Sequence, residues 1–332
     1  MPTIGFPVTK RKEEFRIAIL PGDIPKIEHP ERLMLAEGYG HELGIFDDEY
    51  RKNGAKIVDD KRAYLADVIC QPKFCEGDFP HLSRQQTIFG WMHLEPRMEL
   101  TYQLADISDT VIGWELMRDV NGHVFKRNNY ITGEIGVRHA IQMAAGEQDA
   151  ILSKHYAEGS RNLKGLRIAV IGVGCVGQGA MDALDEMSAD CVTTFNSKNV
   201  RQLKENIGEY DVVINAASLR RDSRGRWIYA LTMEDLDKLK PGALLIDLGI
   251  NIRQSGLKPG SIYRPIQRFN RGANLAYVID HVPTLDPLRA STSISEDVCP
   301  YIGDLTRGYV NATLKNAVII NRGRIKYQRL GY

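Results

Sequence analysis

LRIAVIGVGCVGQGAMDALD, Leu166 to Asp185, is the stretch whose reading decides the fold. Arg167 to Ile171 is a short apolar, β-branched run, the composition of a buried parallel strand. Gly172, Gly174 and Gly177 follow in G-x-G-x-x-G spacing, and Ala180 to Leu184 continues at helical periodicity. The first glycine permits a tight turn, and the second lets a pyrophosphate approach the backbone. The third lets helix and strand pack closely, and the helix N-terminus faces the anion. A glycine-rich turn without a ligand has the same letters. The flanking strand and helix favour a dinucleotide site, with Gly172, Gly174, Val176 and Gly177 as its contacts.

The second strand, Ala189 to Phe195, should show which dinucleotide is bound. An NAD site usually ends this strand in a carboxylate that accepts from the ribose hydroxyls. Here Asn196, Ser197 and Lys198 follow, then Arg201. No carboxylate repels a 2′-phosphate, and a hydroxyl and two cations stand ready to hold one. The reading favours NADP(H) over NAD, although Lys198 and Arg201 are also ordinary types for solvated surface positions.

The 332 residues suggest about two domains. A 43% hydrophobic content suits sizeable cores. A formal charge of +1 gives no reason to expect nucleic acid or an acidic membrane as partner. No apolar run is long enough to span a bilayer, and the N-terminus lacks a signal peptide's hydrophobic core, so a cytoplasmic location is expected. The five cysteines form no C-x-x-C pair, and no metal is expected. Cys175 and Cys191 read as small hydrophobes.

Outward from the fingerprint, the α/β alternation continues. Asp211–Ala216 and Ala243–Asp247 are further buried strands, with a helical MEDLDKL between them. Ala216 and Asn251 follow strand ends that should line the cofactor crevice. Upstream, Gly133 to Tyr156 reads as one long helix between domains. Before it, Phe15–Leu20 is an apolar stretch interrupted by Arg16, and a helix is expected near Asp23. A buried Arg16 would demand a carboxylate held bidentately, and an outward-pointing one would not. Ala66–Gln71 is a strand followed by Pro72 and Lys73, and Thr87–His93 is a strand ending in His93. Side chains from consecutive strand ends become neighbours, and open α/β sheets place their sites there. Thr110–Glu115 repeats the pattern. Glu115 has several roles open to it: orienting His93, balancing Lys73, binding a cationic substrate, or a structural salt bridge. Lys126 to Asn129 form a polar cluster. After Pro283, Thr292–Gly308 is helical and a short hairpin turns at Gly323. The fold class is therefore α/β, with two Rossmann-like domains built on parallel sheets. Residues 133–283 form the NADP-binding domain. Residues 1–132 and 284–332 form a discontinuous substrate domain.

Together these residues resemble the alanine dehydrogenase family and the related saccharopine dehydrogenases. FRIAILPGDI looks like the family's arginine motif, and DVICQPK and TIFGWMH look like its lysine and histidine strands. PGALLIDLGIN and the IDHVP to YIGDL stretch are similar to its C-terminal elements. Within the group, GWELMRDVNGHVFKRNNYITGEIGVRHA looks most like the N5-(carboxyethyl)ornithine synthases. Those enzymes join pyruvate reductively to the side-chain amine of ornithine with NADPH. In alanine dehydrogenases an aspartate stands where this chain has Asn251, and an asparagine where it has His281. The first departure speaks against simple use of ammonia.

The resemblance implies a 2-keto acid and an amino acid as substrates and a homo-oligomer as the assembly. Arg16 would hold the keto-acid carboxylate. Lys73 would polarise the carbonyl and His93 would be the second proton carrier. Glu115 would bind the amine or tune that pair, while Arg127 and His281 would contact the second substrate.

Overall fold

A computed structural model of the chain describes residues 1–94, 98–147, 150–156, 162–218, 220–221, 227–249 and 257–326. The chain divides into two compact units, Met1–Phe125 with Asp286–Tyr332, and Lys126–Leu285. The first is thus discontinuous in sequence.

In the first unit, six parallel strands lie in the order Lys56–Val58, Leu33–Ala36, Ile4–Phe6, Val68–Lys73, Thr87–Trp91, Thr110–Gly113. The hairpin Val318–Asn321 and Arg324–Ile325 is added antiparallel at the last edge. The inner strands are short apolar runs buried on both faces, as parallel strands covered by helices must be. One face packs with the helix Pro287–Thr306 through Ile294, Val298 and Ile302. The other carries Ile69, Ile88, Val111 and Ile319. At Gly5, in the central strand, an added Cβ would overlap the Ala63 carbonyl oxygen, so the helix Asp60–Ala63 sits directly on the strand backbone.

In the second unit, the strand order is Cys191–Phe195, Arg167–Ile171, Val212–Asn215, Leu244–Asp247, Asn274–Val278, Ile266–Phe269. All pairs are parallel except the last. The helix Cys175–Glu186 follows the fingerprint turn. It packs on the helix Lys126–Ala145 with backbones in contact. Added Cβ atoms at Gly133 and Gly179 would overlap the carbonyl oxygens of Val176 and Tyr130.

Two local expectations need correction, and the apolar run Phe15–Leu20 forms no strand. Its amides are instead bonded by side chains, Ile17 to Ser291 Oγ at 2.9 Å, Ala18 to Tyr39 Oη at 2.7 Å and Leu20 to Ser295 Oγ at 2.8 Å. The helix near Asp23 is a 3-10 turn, Pro21–Lys26, because Pro25 inside it supplies no N–H. The long helix begins at Lys126 rather than Gly133 and ends at Ala145, and Ile151–Tyr156 is a separate helix. Gly146, a poor helix former, stands at the break. Among the described residues no helix is long and apolar enough to cross a membrane.

Candidate active site

In the first unit the strand order reverses direction between Ile4–Phe6 and Val68–Lys73. Open α/β sheets form their ligand crevice outside the carboxyl ends of strands at such a switch. The segment leaving Ile4–Phe6 carries Glu14 and Arg16. Val68–Lys73 ends in Lys73, Thr87–Trp91 leads into His93, and Thr110–Gly113 leads into Glu115. Four of the expected residues thus lie along one edge of one sheet.

Arg16 is buried, 4% exposed, and points inward. Its Nε donates to Glu14 Oε1 at 2.6 Å and its Nη2 to Oε2 at 2.5 Å. Its guanidinium also lies 5.4 Å from the Trp91 ring centre. Glu14 uses one edge of the planar fork, and the edge formed by Nη1 and the outer Nη2 hydrogen faces away from it. Glu14 escaped the reading of the sequence, although E-x-R places both side chains on one side of an extended chain. The backbone amides that Ser291, Tyr39 and Ser295 accept hold this segment without a strand partner. Burial pushes the Tyr39 hydroxyl well above the ordinary tyrosine range, so it stays protonated.

Lys73 is 4% exposed and pairs in register with Trp91, after a shift of register from Cys70. Trp91 therefore neighbours both Lys73 and Arg16. His93, half-buried, has φ +45°, a left-handed conformation uncommon for a residue with a side chain. Glu115 accepts the backbone N–H of His93 at 2.8 Å and that of Met92 at 3.3 Å. Gly113 makes this possible, since its absent Cβ would lie 3.0 Å from the Glu115 carboxylate. Glu115 thus holds the backbone at His93.

The second unit holds a pocket of about 570 Å³ at the ends of its first three strands. Gly172, Gly174, Asn196, Ser197 and Ala216 line it, with Val173, Val200 and Tyr229 among the apolar contributors. Among the described lining residues there is no carboxylate. Gly172 has φ +100°, and an added Cβ would meet the Ala216 backbone at 2.8 Å. Gly177 is packed against the Gly172 carbonyl, whereas nothing lies within 4 Å of a Cβ at Gly174. The second glycine is thus the open face, and the helix beginning at Cys175 presents its amides there. These features fit a dinucleotide pyrophosphate. Val176 lies in the first helical turn. Asn196 and Asn199 shape the loop, Asn196 N donating to Asn199 Oδ1 at 2.6 Å and Lys198 N to Asn196 Oδ1 at 2.8 Å. Lys198 is exposed, and the Arg201 side chain is 90% exposed with Glu205 at 3.1 Å.

Next to this pocket's wall, Asn215 Nδ2 donates to Asp247 Oδ1 at 2.8 Å across two buried strand ends. His281, also in this unit, is buried with its Nδ1 2.8 Å from Asp280 Oδ1. Arg127 is the second residue of the helix Lys126–Ala145 and is exposed. Asn251 lies outside the described residues. Among the described residues no cluster of three or more His, Cys, Asp or Glu could hold a metal ion.

Residues 5–127 match the model of the alanine dehydrogenase/PNT N-terminal domain. The chain is 26% identical over 320 residues to an N(5)-(carboxyethyl)ornithine synthase of Clostridium botulinum, covering 88% of this chain and 91% of the relative. To alanine dehydrogenase 1 of Staphylococcus aureus it is 21% identical over 358 residues, covering 96% and 91%. Among solved structures, an L-alanine dehydrogenase superposes with a TM-score of 0.78 at 18% identity, over 99% of this chain and 98% of that one. A transhydrogenase from Sinorhizobium meliloti gives 0.71 at 18% identity, over 97% and 99%. These structures share the fold.

Proposed function

We propose that this chain, whose N-terminal part is an alanine dehydrogenase/PNT N-terminal domain and whose relatives are oxidoreductases, is an NADPH-dependent reductive condensing enzyme. It joins a 2-keto acid, pyruvate, to the side-chain amine of a diamino acid, ornithine or lysine. The amine nitrogen attacks the keto carbon, water leaves, and the resulting imine is reduced to an N-(carboxyalkyl)amino acid. The observation that carries this reading is the edge on which Arg16, Lys73 and His93 leave neighbouring strand ends. One anchor for an anion and two proton carriers are what a condensation with loss of water requires.

The outward edge of the Arg16 guanidinium takes the substrate carboxylate through paired, charge-assisted hydrogen bonds. Glu14 and the Trp91 ring hold that guanidinium in one orientation, so little freedom is lost on binding. Lys73 protonates the carbonyl oxygen as the amine adds, and His93 delivers a proton to the leaving water. Burial of Arg16 and Lys73 keeps bulk water from competing for the imine. NADPH, when bound in the second unit's pocket, supplies the hydride. Gly172, Gly174 and Ala216 would hold its pyrophosphate, and Ser197, Lys198 and Arg201 its 2′-phosphate. The lack of a carboxylate among the described lining residues supports NADPH over NADH.

Oxidation of NADPH is followed with pyruvate and ornithine, lysine or ammonia, with NADH as control. Consumption that needs a diamino acid and prefers NADPH is the expected result, with a product mass equal to the condensed, reduced pair. Consumption with ammonia alone would make the protein an amino-acid dehydrogenase instead.

A further inference from the structure

Gln71 is 1% exposed, and neither Oε1 nor Nε2 of its side chain has a hydrogen-bond partner among the described residues. A primary amide offers two donors and two acceptor sites, and among the described residues all of them are unused. Buried polar groups are nearly always bonded, so an amide left wholly without partners calls for an explanation. Its place in the fold supplies one. Gln71 stands two residues before Lys73 at the carboxyl end of the Val68–Lys73 strand, beside the switch point. The neighbouring strands offer it nothing to bond, since Gly90 packs on the Gln71 backbone and is paired in register with Gly113. The Glu115 carboxylate above Gly113 is engaged by the amides of Met92 and His93. Lys73, on the same strand end, and Arg16 are comparably buried, at 4% exposed each.

We propose that Gln71 reads the head group of the amino-acid substrate, a specificity role that rests on the reaction proposed above. An amide is the neutral group that pairs at once with an α-ammonium, through Oε1, and with an α-carboxylate, through Nε2. A keto acid lacks the ammonium and has Arg16 for its carboxylate. Gln71 therefore selects amino acids over simple amines, and its unused bonds are completed when the substrate arrives.

The test compares wild type with Gln71→Leu, and with Gln71→Met should the leucine variant not fold. KM values are measured for ornithine and pyruvate. Inhibition by norvaline, which keeps the head group and lacks the side-chain amine, is measured against ornithine. NADPH affinity and melting temperature are recorded alongside. The expected result is a rise of tenfold or more in both the ornithine KM and the norvaline inhibition constant. The pyruvate KM and NADPH affinity stay within twofold, and the melting temperature is unchanged or higher because an unbonded buried amide is gone. Norvaline that fails to inhibit wild type, an unchanged ornithine KM, or an equal rise for pyruvate overturns the role of Gln71. A wild-type protein that consumes NADPH with pyruvate and ammonia but with no diamino acid overturns the proposed reaction itself, a separate and recognisable outcome.

Discussion

Glu115 accepts the main-chain N–H of His93 at 2.8 Å, and His93 sits in the left-handed region at φ +45°. A non-glycine residue there is strained by roughly 1–3 kcal/mol and persists because its surroundings hold it. The second Glu115 oxygen takes the N–H of Met92, so the carboxylate clamps two successive amides where the Thr87–Trp91 strand ends. The direction in which the imidazole leaves the sheet is therefore set from the adjacent strand.

Removing that clamp should uncouple chemistry from binding. Glu115→Ala leaves the two amides without their carboxylate and should cost about 1–3 kcal/mol of stability. The turnover number should fall by up to roughly 10²-fold, the lower end of what a positioned proton carrier contributes, with NADPH affinity unchanged. Steady-state kinetics beside urea unfolding checks this. A sharp rise in the amine KM at full turnover would return Glu115 to amine binding.

The Glu14–Arg16 pair should behave as a unit. Either single neutral substitution removes this bidentate partner from a buried charge, at about 3–5 kcal/mol. Glu14→Gln combined with Arg16→Met should lose clearly less than the sum of the two single changes. A double-mutant cycle by chemical denaturation measures the coupling, and strict additivity would show that the pair is not energetically linked. Among folded variants, those lacking Arg16 should lose pyruvate affinity first.

In the second unit, the contact between helix backbones at Gly133 and Gly179 leaves no room for a methyl group. Gly133→Ala should push the two helices apart and lose about 1–3 kcal/mol, as overpacked cores do. Gly44→Ala, at a turn with open space, is not an adequate control, because its φ of +72° is itself unfavourable to alanine. Gly303→Ala, in the helix Pro287–Thr306 with nothing within 4 Å, is the better one and should be neutral or slightly stabilising.

His139 makes a pH-dependent contribution. Burial lowers its pKa below the ordinary histidine value, and its Nδ1 lies 3.0 Å from the Tyr277 hydroxyl. The folded state therefore binds a proton less readily than the unfolded state. Stability from this site is complete above the unfolded value of about 6.5 and is lost as pH falls from there toward the folded pKa. His139→Gln should flatten the part of the stability profile that lies on the acid side of about pH 6.5. A slope that is the same in variant and wild type would assign the pH dependence to other groups.

Several features were legible in the sequence because they are local. The strand, glycine turn and helix from Arg167 to Glu186 are written in adjacent residues, and so is the hairpin that turns at Gly323. Lys73, His93 and Glu115 each stand just inside or beyond a short apolar run, which marks them as strand-end residues before any pairing is known. Which strand ends lie side by side is a different matter. That order follows from pairing between residues far apart in the chain, such as Ile4 with Val68, and it is what puts the Arg16 segment next to Lys73. The Phe15–Leu20 run has the composition of a strand, yet its amides are taken by Ser291, Ser295 and Tyr39, side chains that only folding brings close. Likewise the carboxylate that Arg16 requires was foreseeable in kind, while its identity as Glu14 was not. Tertiary structure also decided which amides Glu115 accepts, because a backbone amide takes no instruction from sequence spacing and is bonded by whatever acceptor the neighbouring strand delivers.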